Sequence, residues 1–326
     1  IRMRIPIDGD ISFNDLVYGE INTKCSELDD FIIARSDGSP TYNFTVVVDD
    51  NDMNISHVIR GEDHISNTPK QMLIYKALEW TIPKFGHLPM ILGSDGKRLS
   101  KRHGAKGTSE YKDLGYLPDT LINYLALLGW NPGNDDEIFD FNYLQENFSL
   151  EKVNKKSAVF DNTKLEWVSS QNIFKISAAK LVDIASEFDP TWCGEGHSLE
   201  YLVKVIELIK DRIKTLSDIK ENAFYFFNHP TEYDEAAMKK CWGENTNDIL
   251  NSFQEELSQL DDWNSSNIDE SINIFVNAIN VGKGKLMQPL RIALTGALKG
   301  PSIPDLMTLL GKETCLIRFK NILKNS

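Results

Sequence analysis

The rhythm of hydrophobic and polar positions changes about a third of the way along the chain. Up to about residue 110 the apolar runs are short and separated by turn residues. Ile11 to Val17 and Phe31 to Ile33 suit short strands, with turns at Asp8-Gly9-Asp10 and Ser36-Asp37-Gly38. Tyr42, Phe44, Val46 and Val48 alternate with Asn43, Thr45 and Val47, and this β-branched, aromatic run predicts a largely buried strand ending at Asp49-Asp50-Asn51-Asp52. Ile55 to Ile59 predicts a second buried strand, which delivers Arg60-Gly61-Glu62-Asp63-His64 at its C-terminal end. A helix follows, with Thr68 placed to cap it, Pro69 at its first position, and Leu73, Ala77 and Trp80 as its buried stripe. Gly86 to Leu92 predicts a third strand, completing a strand–helix–strand unit.

From Tyr111 onward the spacing is helical. Leu121, Tyr124, Leu125 and Leu128 share a face, with Gly129 as a stop, and two further segments, Leu199 to Ile206 and Ile272 to Ile279, repeat the pattern. The expected fold class is α/β followed by all-α. No internal repeat or low-complexity tract interrupts it.

Composition alters this picture little. The 326 residues carry a formal charge of -13, which argues against non-specific nucleic-acid binding but leaves a local basic face open. Residues 271–304 contain Lys283, Lys285, Arg291 and Lys299 and no acid. No apolar run approaches the roughly 20 residues a membrane-spanning helix needs. Four scattered cysteines form no CxxC pair, so a zinc ribbon or disulfide framework is not expected, and a reducing cytoplasm is.

The candidate chemistry centres on Gly96-Lys97-Arg98-Leu99-Ser100-Lys101-Arg102-His103-Gly104. Four cations fall within six residues, read here as having no acid beside them. Such a loop can grip and release a polyphosphate, or be a solvated turn. Tyr42, Arg60 and Asp63, at strand ends, can recognise a small charged substrate, or form an edge ion pair beside a core tyrosine. His64 and His87 can meet a nucleotide or be structural. Met90 and Ile91 can back an adenine or simply be core. Asp49 and Asp50 can hold Mg²⁺ or close a turn. Trp167, Trp192, Trp242 and Trp263 can stack bases or fill the helical core. Neither GxxxxGK[ST] nor a GxGxxG following a strand is present.

Taken together, several motifs resemble the bacterial-type glutamyl-tRNA synthetases, which are class I aminoacyl-tRNA synthetases. They are Ser39-Pro40-Thr41-Tyr42-Asn43-Phe44, Val47-Val48-Asp49-Asp50, His57 to His64, Ser66 to Gln71, His87-Leu88-Pro89, Leu99 to Gly104, Tyr116-Leu117-Pro118, Asn123 to Trp130 and Pro289-Leu290-Arg291. The resemblance is specific over 39–130 and looser over 180–326. It implies the second half of a Rossmann-like nucleotide-binding fold plus a helical anticodon-binding region. The regions implied are 1–38, the tail of an inserted acceptor-arm domain; 39–107, the second catalytic half; 108–170, stem contact; and 180–326, anticodon binding.

By the same resemblance, Arg98 to Arg102 is similar to the family's KMSKS loop, with Arg98 in place of its first lysine. Lys101 would stabilise the ATP phosphates, with Ser100, Arg98 and Arg102 beside it. Tyr42 and Arg60 would bind glutamate, with Arg60 on its α-carboxylate. Asp63, His64, Met90 and Ile91 would meet ATP, and Lys283, Lys285 and Arg291 would meet tRNA. The implied reaction is ATP-dependent activation of L-glutamate, Mg²⁺ accompanying the ATP, and transfer to tRNA(Glu), by a cytoplasmic monomer with no protein-bound metal and no membrane partner. The family's HIGH tetrapeptide lies upstream of all these motifs, so the chain is expected to be N-terminally truncated and inactive alone. The alternatives are a glutaminyl-tRNA synthetase relative and a non-catalytic tRNA-binding module.

Overall fold

The computed structural model describes residues 1–103 and 106–325, without the side chains of His103 and Asn325. The chain divides into two compact units, one of residues 1–108 and 118–168, the other of residues 109–117 and 169–326.

The first unit is α/β. Strands β1 (Arg2–Met3), β2 (Asp10–Asp15), β3 (Gly19–Lys24) and β4 (Phe31–Ile32) form two antiparallel pairs, β1 with β4 and β2 with β3. Helix α1 (Tyr42–Asp52) then replaces the strand expected there. Pro40 precedes an extended Thr41, whose carbonyl accepts the Phe44 and Thr45 N–H groups and opens a helical turn. Val47 is fully buried, and Phe44, one turn earlier, packs on the same cluster with Ile74 and Tyr75. The three-residue spacing is what buries side chains here. β-Propensity spans only about 1 kcal/mol per residue, less than the burial of one Val.

Strand β5 (His57–Gly61) is followed by a 3-10 turn over Glu62–Asn67, helix α2 (Thr68–Ala77) and strand β6 (Lys84–Leu88). β5 and β6 are parallel, so the βαβ unit is present, with Arg60 in register opposite His87. β5 is not the buried strand expected. Its only strand partner among the described residues is β6, and Ile59 is exposed. In α2 the buried run is Met72 to Tyr75, which lies between two apolar clusters, whereas Ala77 is exposed and Trp80 lies beyond the helix end. Thr68 does not cap the helix with its side chain, and Asn67 holds the N-cap position. Pro69 does occupy the first turn.

The third strand is broken in two. Pro89 lacks an N–H, the Met90 N–H turns to a side chain, and β7 (Ile91–Leu92) pairs instead with the parallel β8 (Ala158–Val159). Between them in the chain come α3 (Thr108–Asp113), nearly all of which belongs to the second unit, α4 (Pro118–Leu127) and α5 (Phe141–Asn147). Trp130, Phe139, Leu144 and Val153 close a core with Val17.

The second unit is all-helical, as expected. After α6 (Asn162–Lys175) come α7 (Ala178–Phe188), α8 (Leu199–Ile209), α9 (Ser217–Phe227), α10 (Glu235–Cys241), α11 (Thr246–Ser258), α12 (Ser265–Ala278), α13 (Gly284–Thr295), α14 (Ile303–Leu310) and α15 (Lys312–Asn325). Ser177, Ser198, Asp234, Asn264 and Ser302 cap five of these with side-chain oxygens, each satisfying backbone N–H groups that the first turn leaves open. Trp192 is buried, and the indole N–H groups of Trp242 and Trp263 donate to Asn247 and to the Met307 carbonyl, so these three serve the helical core. Trp167, in the first unit, is exposed under the Lys164 ammonium, 4.0 Å from the ring centre. Among the described residues no helix is long and apolar enough to cross a membrane.

Candidate functional site

The C-terminal end of β5 gathers the predicted residues. In a parallel βαβ unit this end faces a crevice, since the chain turns away there into the helix. Of the five consecutive positions from Arg60 to His64, four side chains each hold something different. Arg60 reaches inward. Its Nε donates to His87 Nε2 (3.2 Å), and its Nη2 donates to Thr68 Oγ1 (2.8 Å) and Gln71 Oε1 (2.9 Å). Its guanidinium lies over Phe85, 5.6 Å from the ring centre. Burial lowers the Arg60 pKa, and the nearby Tyr42 hydroxyl and the charges of Asp50 and Asp63 oppose that lowering. A Cβ at Gly61 would sit 2.6 Å from Asp63 Oδ1, so a side chain there would displace the Asp63 carboxylate.

Glu62 accepts the Met90 N–H through Oε1 (3.0 Å) and the Tyr18 hydroxyl through Oε2. It thereby holds the chain between β6 and β7. Burial, with the Glu62 carboxylate beside it, pushes the Tyr18 hydroxyl up to about 12, so it stays a donor. Asp63 pairs with Arg98 of the basic loop, Oδ2 to Nη1 at 3.1 Å. His64 Nδ1 lies 3.3 Å from the Tyr42 hydroxyl, their rings 5.8 Å apart.

Below this row sits a buried relay. Asp15, at the end of β2, accepts the Val17 and Tyr18 N–H groups on Oδ1 (2.9 Å each) and meets His87 Nδ1 with Oδ2 at 2.6 Å. Burial raises the Asp15 carboxyl, but the hydrogen bonds from Tyr18, His87 and Val17 outweigh it and hold the group below the ordinary carboxylate range. Burial lowers His87 more than the Asp15 contact raises it, and the charges of Arg60 and His64 add to the lowering. The pair is therefore a carboxylate and a neutral imidazole. His87 is wholly enclosed, which ends its reading as a nucleotide contact. Asp50, on the last turn of α1, is raised by burial and by Asp49, against the opposing charge of Arg60.

The basic loop is tethered at its base. Leu99 N–H donates to the Ile91 carbonyl (2.9 Å), Gly93 N–H to the Lys97 carbonyl (2.7 Å), and Gly96 takes φ +74°, open to glycine. Asp95 accepts the Lys97 N–H at 2.9 Å, and with Asp63 it corrects the expectation of a loop with no acid beside it. Lys101 and Arg102 are exposed on a short 3-10 turn, and Ser100 is half-buried. Gly104, which ends the motif, lies outside the described residues.

The structure thus brings Tyr42, Arg60, Asp63, His64, Met90 and Arg98 into one neighbourhood. Sequence reasoning missed Asp15, Tyr18, Glu62, Thr68 and Gln71. Glu62, Thr68 and Gln71 stand inside the family motifs without a role of their own in the site, Thr68 being expected only as a helix cap. A lone Asp at a strand end, as at Asp15, carries no signal by itself.

In the second unit, Lys283 pairs with Asp269 at 3.1 Å and Lys299 pairs with Glu221, so neighbouring helices supply the acids that 271–304 lacks. Lys285 is exposed. Arg291 Nη1 donates to the carbonyls of Gly300 (2.9 Å) and Pro301 (2.6 Å), and burial lowers its pKa below the ordinary arginine value.

Comparison with known proteins agrees with this architecture. Residues 1–167 match the family of class I tRNA synthetases (E and Q), catalytic domain, and residues 179–323 match an anticodon binding domain. A glutamate–tRNA ligase of Thermoanaerobacter pseudethanolicus is 39% identical over 323 residues, covering 98% of this chain and 67% of the relative. One of Halorhodospira halophila is 41% identical over 324 residues, with the same coverage. The crystal structure of a glutamate tRNA ligase from Elizabethkingia meningosepticum, in complex with its amino acid, superposes with a TM-score of 0.86 at 34% identity, covering 99% of this chain and 68% of that one. The chain spans about two thirds of the length of these relatives. With the parallel βαβ unit, the basic loop and the helical second unit in the family's order, the chain belongs to the class I tRNA synthetases, among the glutamate–tRNA ligases.

Proposed function

We propose that the row at the end of β5 is the amino-acid and ATP side of a glutamate-activating site. Arg60 takes the α-carboxylate of L-glutamate, and Tyr42 stands beside it. Asp63, His64 and the Met90–Ile91 backbone meet ATP. Lys101, flanked by Ser100, Arg98 and Arg102, follows the negative charge that develops on the departing pyrophosphate. No protein nucleophile is needed: the glutamate carboxylate attacks the α-phosphorus, pyrophosphate leaves, and the glutamyl group then passes to the terminal ribose of tRNA(Glu). Positioning and charge stabilisation do the catalytic work. Mg²⁺ arrives with the ATP phosphates.

The observation that carries this reading is the convergence of Arg60, Tyr42 and His64 at one strand end, with Asp63 tied to Arg98 of the basic loop. The second unit would meet the anticodon, with Lys285 the most available of the three predicted contacts and Lys283 reached by exchange of its Asp269 partner. The four-region division at 1–38, 39–107, 108–170 and 180–326, a monomeric state and a cytoplasmic location complete the proposal.

The test is tRNA-dependent ATP–pyrophosphate exchange by the full-length gene product. Lys101→Ala should lower the exchange rate by about two orders of magnitude or more, as removal of a transition-state charge partner does. Near-normal exchange would remove Lys101 from the chemistry.

A further inference from the structure

We propose that His87 is a positioning residue for Arg60, held by Asp15 in its neutral Nδ1–H tautomer so that Nε2 accepts the Arg60 Nε–H. The proposal rests on the reading of Arg60 as the carboxylate ligand.

Both neighbours of the imidazole impose the same tautomer. Asp15 Oδ2, 2.6 Å from Nδ1, belongs to an ionised carboxylate and can only accept, so Nδ1 carries the proton. Arg60 Nε, 3.2 Å from Nε2, can only donate, so Nε2 presents its lone pair. The parallel register sets Arg60 directly opposite His87, and β2 delivers Asp15 beside it. Beyond these two, the His64 imidazole is the one further titratable group among the described residues that acts on the ring, and the atoms packed against the ring are uncharged. Phe13 and Phe85 pack its surroundings at 6.3 and 6.4 Å between ring centres, and Thr68 Oγ1 lies 3.1 Å from Nε2.

The consequence falls on the guanidinium. Nε is held by His87 and Nη2 by Thr68 and Gln71, so the inner edge of Arg60 is fixed on three sides. These three partners hold Nε and Nη2 and leave Nη1 as the outer corner of a guanidinium that also has the Tyr42 hydroxyl beside it. A carboxylate ligand is therefore met through Nη1, whose two N–H groups these partners leave unused, not through the side-on Nε/Nη2 fork. A proton added to His87 would set N–H against N–H and cation against cation, and would release that edge.

The decisive variant is Asp15→Asn in the full-length protein. Asparagine keeps an acceptor for the Val17 and Tyr18 N–H groups but presents an NH₂ to Nδ1. The proton must then move to Nε2, where it opposes the Arg60 Nε–H. Two-bond ¹H–¹⁵N correlation spectra of the His87 ring should show Nδ1–H in the wild type and Nε2–H in Asp15→Asn. The KM for glutamate should rise roughly ten- to a hundredfold, as for a lost hydrogen bond to a charged group, while the KM for ATP changes less than about twofold. His87→Gln, which can keep an acceptor near Nε2, should stay close to wild type, and His87→Leu should behave like Asp15→Asn. If Asp15→Asn does not fold, the Gln and Leu pair decides.

An unchanged tautomer, a tautomer swap with unchanged glutamate KM, or a parallel rise in both KM values would each overturn the proposal. Arg60→Ala separates the two readings. An unchanged glutamate KM in Arg60→Ala refutes Arg60 as the carboxylate ligand. A raised KM there, with Asp15→Asn and His87→Leu unaffected, refutes only the positioning role.

Discussion

Arg98 donates through Nη1 to the Asp63 carboxylate at 3.1 Å, joining two positions 35 residues apart in the chain. One member lies in the row of side chains after β5 and the other lies in the basic loop. Arg98 is largely exposed and Asp63 about one-third exposed, so the pair contributes below about 1 kcal/mol to stability. Its consequence is local. Asp63→Asn should leave the urea midpoint nearly unchanged while trypsin cleavage within Lys97–Arg102 accelerates severalfold. Equal cleavage rates in variant and wild type would mean that the pair does not tether the loop.

Glu62 joins Tyr18 to the Met90 N–H and so holds the break between β6 and β7. Glu62→Ala leaves both donors without this partner in a partly enclosed place, at a cost of about 1–3 kcal/mol. On the proposed reading, it also raises the KM for ATP more than that for glutamate. Urea denaturation and steady-state kinetics check the two halves separately, and an unshifted midpoint would show that water replaces the carboxylate freely.

The relay predicts a pH dependence of stability. The folded His87 pKa is depressed below its ordinary 6.5, first by burial and then by Arg60 and His64. The unfolded chain therefore takes up the proton first as pH falls. The stabilisation is fully present above about pH 6.5 and is lost as pH drops from there through the depressed value, with a slope of at most about 1.4 kcal/mol for each pH unit crossed. Asp15, also depressed, adds a loss only in the carboxylate range. Urea midpoints measured from pH 7.5 down to 5 should decline more steeply for the wild type than for His87→Gln. Parallel curves would show that His87 is not buried in its neutral form.

Arg291 and Lys285 should separate structure from RNA contact. Arg291 Nη1 holds the carbonyls of Gly300 and Pro301, so Arg291→Ala should cost about 2 kcal/mol of stability. Lys285 is exposed, so Lys285→Ala should leave stability alone and weaken tRNA(Glu) binding with a shallower salt dependence. If Lys285→Ala binds tRNA with the wild-type salt slope, the residue does not face the nucleic acid.

Gly115 in the second unit takes φ +81°, and a Cβ there would lie 2.6 Å from the Ser217 backbone nitrogen. The Leu216 N–H donates to its carbonyl at 2.9 Å, so the two segments cannot part cheaply. Gly115→Ala should lose about 2 kcal/mol or more in urea denaturation. A loss under half that would mean the contact relaxes.

Element type was legible from sequence where pattern and burial agree. The helical second unit followed from apolar spacing, and the βαβ unit from two apolar runs flanking a proline-started helix. The motifs around Arg60 and Lys101 named the family, because their residue types at fixed spacing are dictated by chemistry that does not depend on packing. Tertiary structure decided where those levels conflict. Phe44 and Val47 form a helix because α2 offers a surface at three-residue spacing, which outweighs a β-branched run. The strand after His87 breaks because Pro89 cannot donate and Glu62 captures the next N–H. Asp15 was silent in the sequence, since its importance lies in reaching His87 across 72 residues. Long-range pairing of this kind is set by register and burial, and a local pattern cannot encode it. Residue types at fixed spacing in the chain name the family and the candidate side chains; only the fold decides that Arg60 is held through Nε and Nη2 by His87, Thr68 and Gln71, because those partners come from separate elements that packing alone brings together.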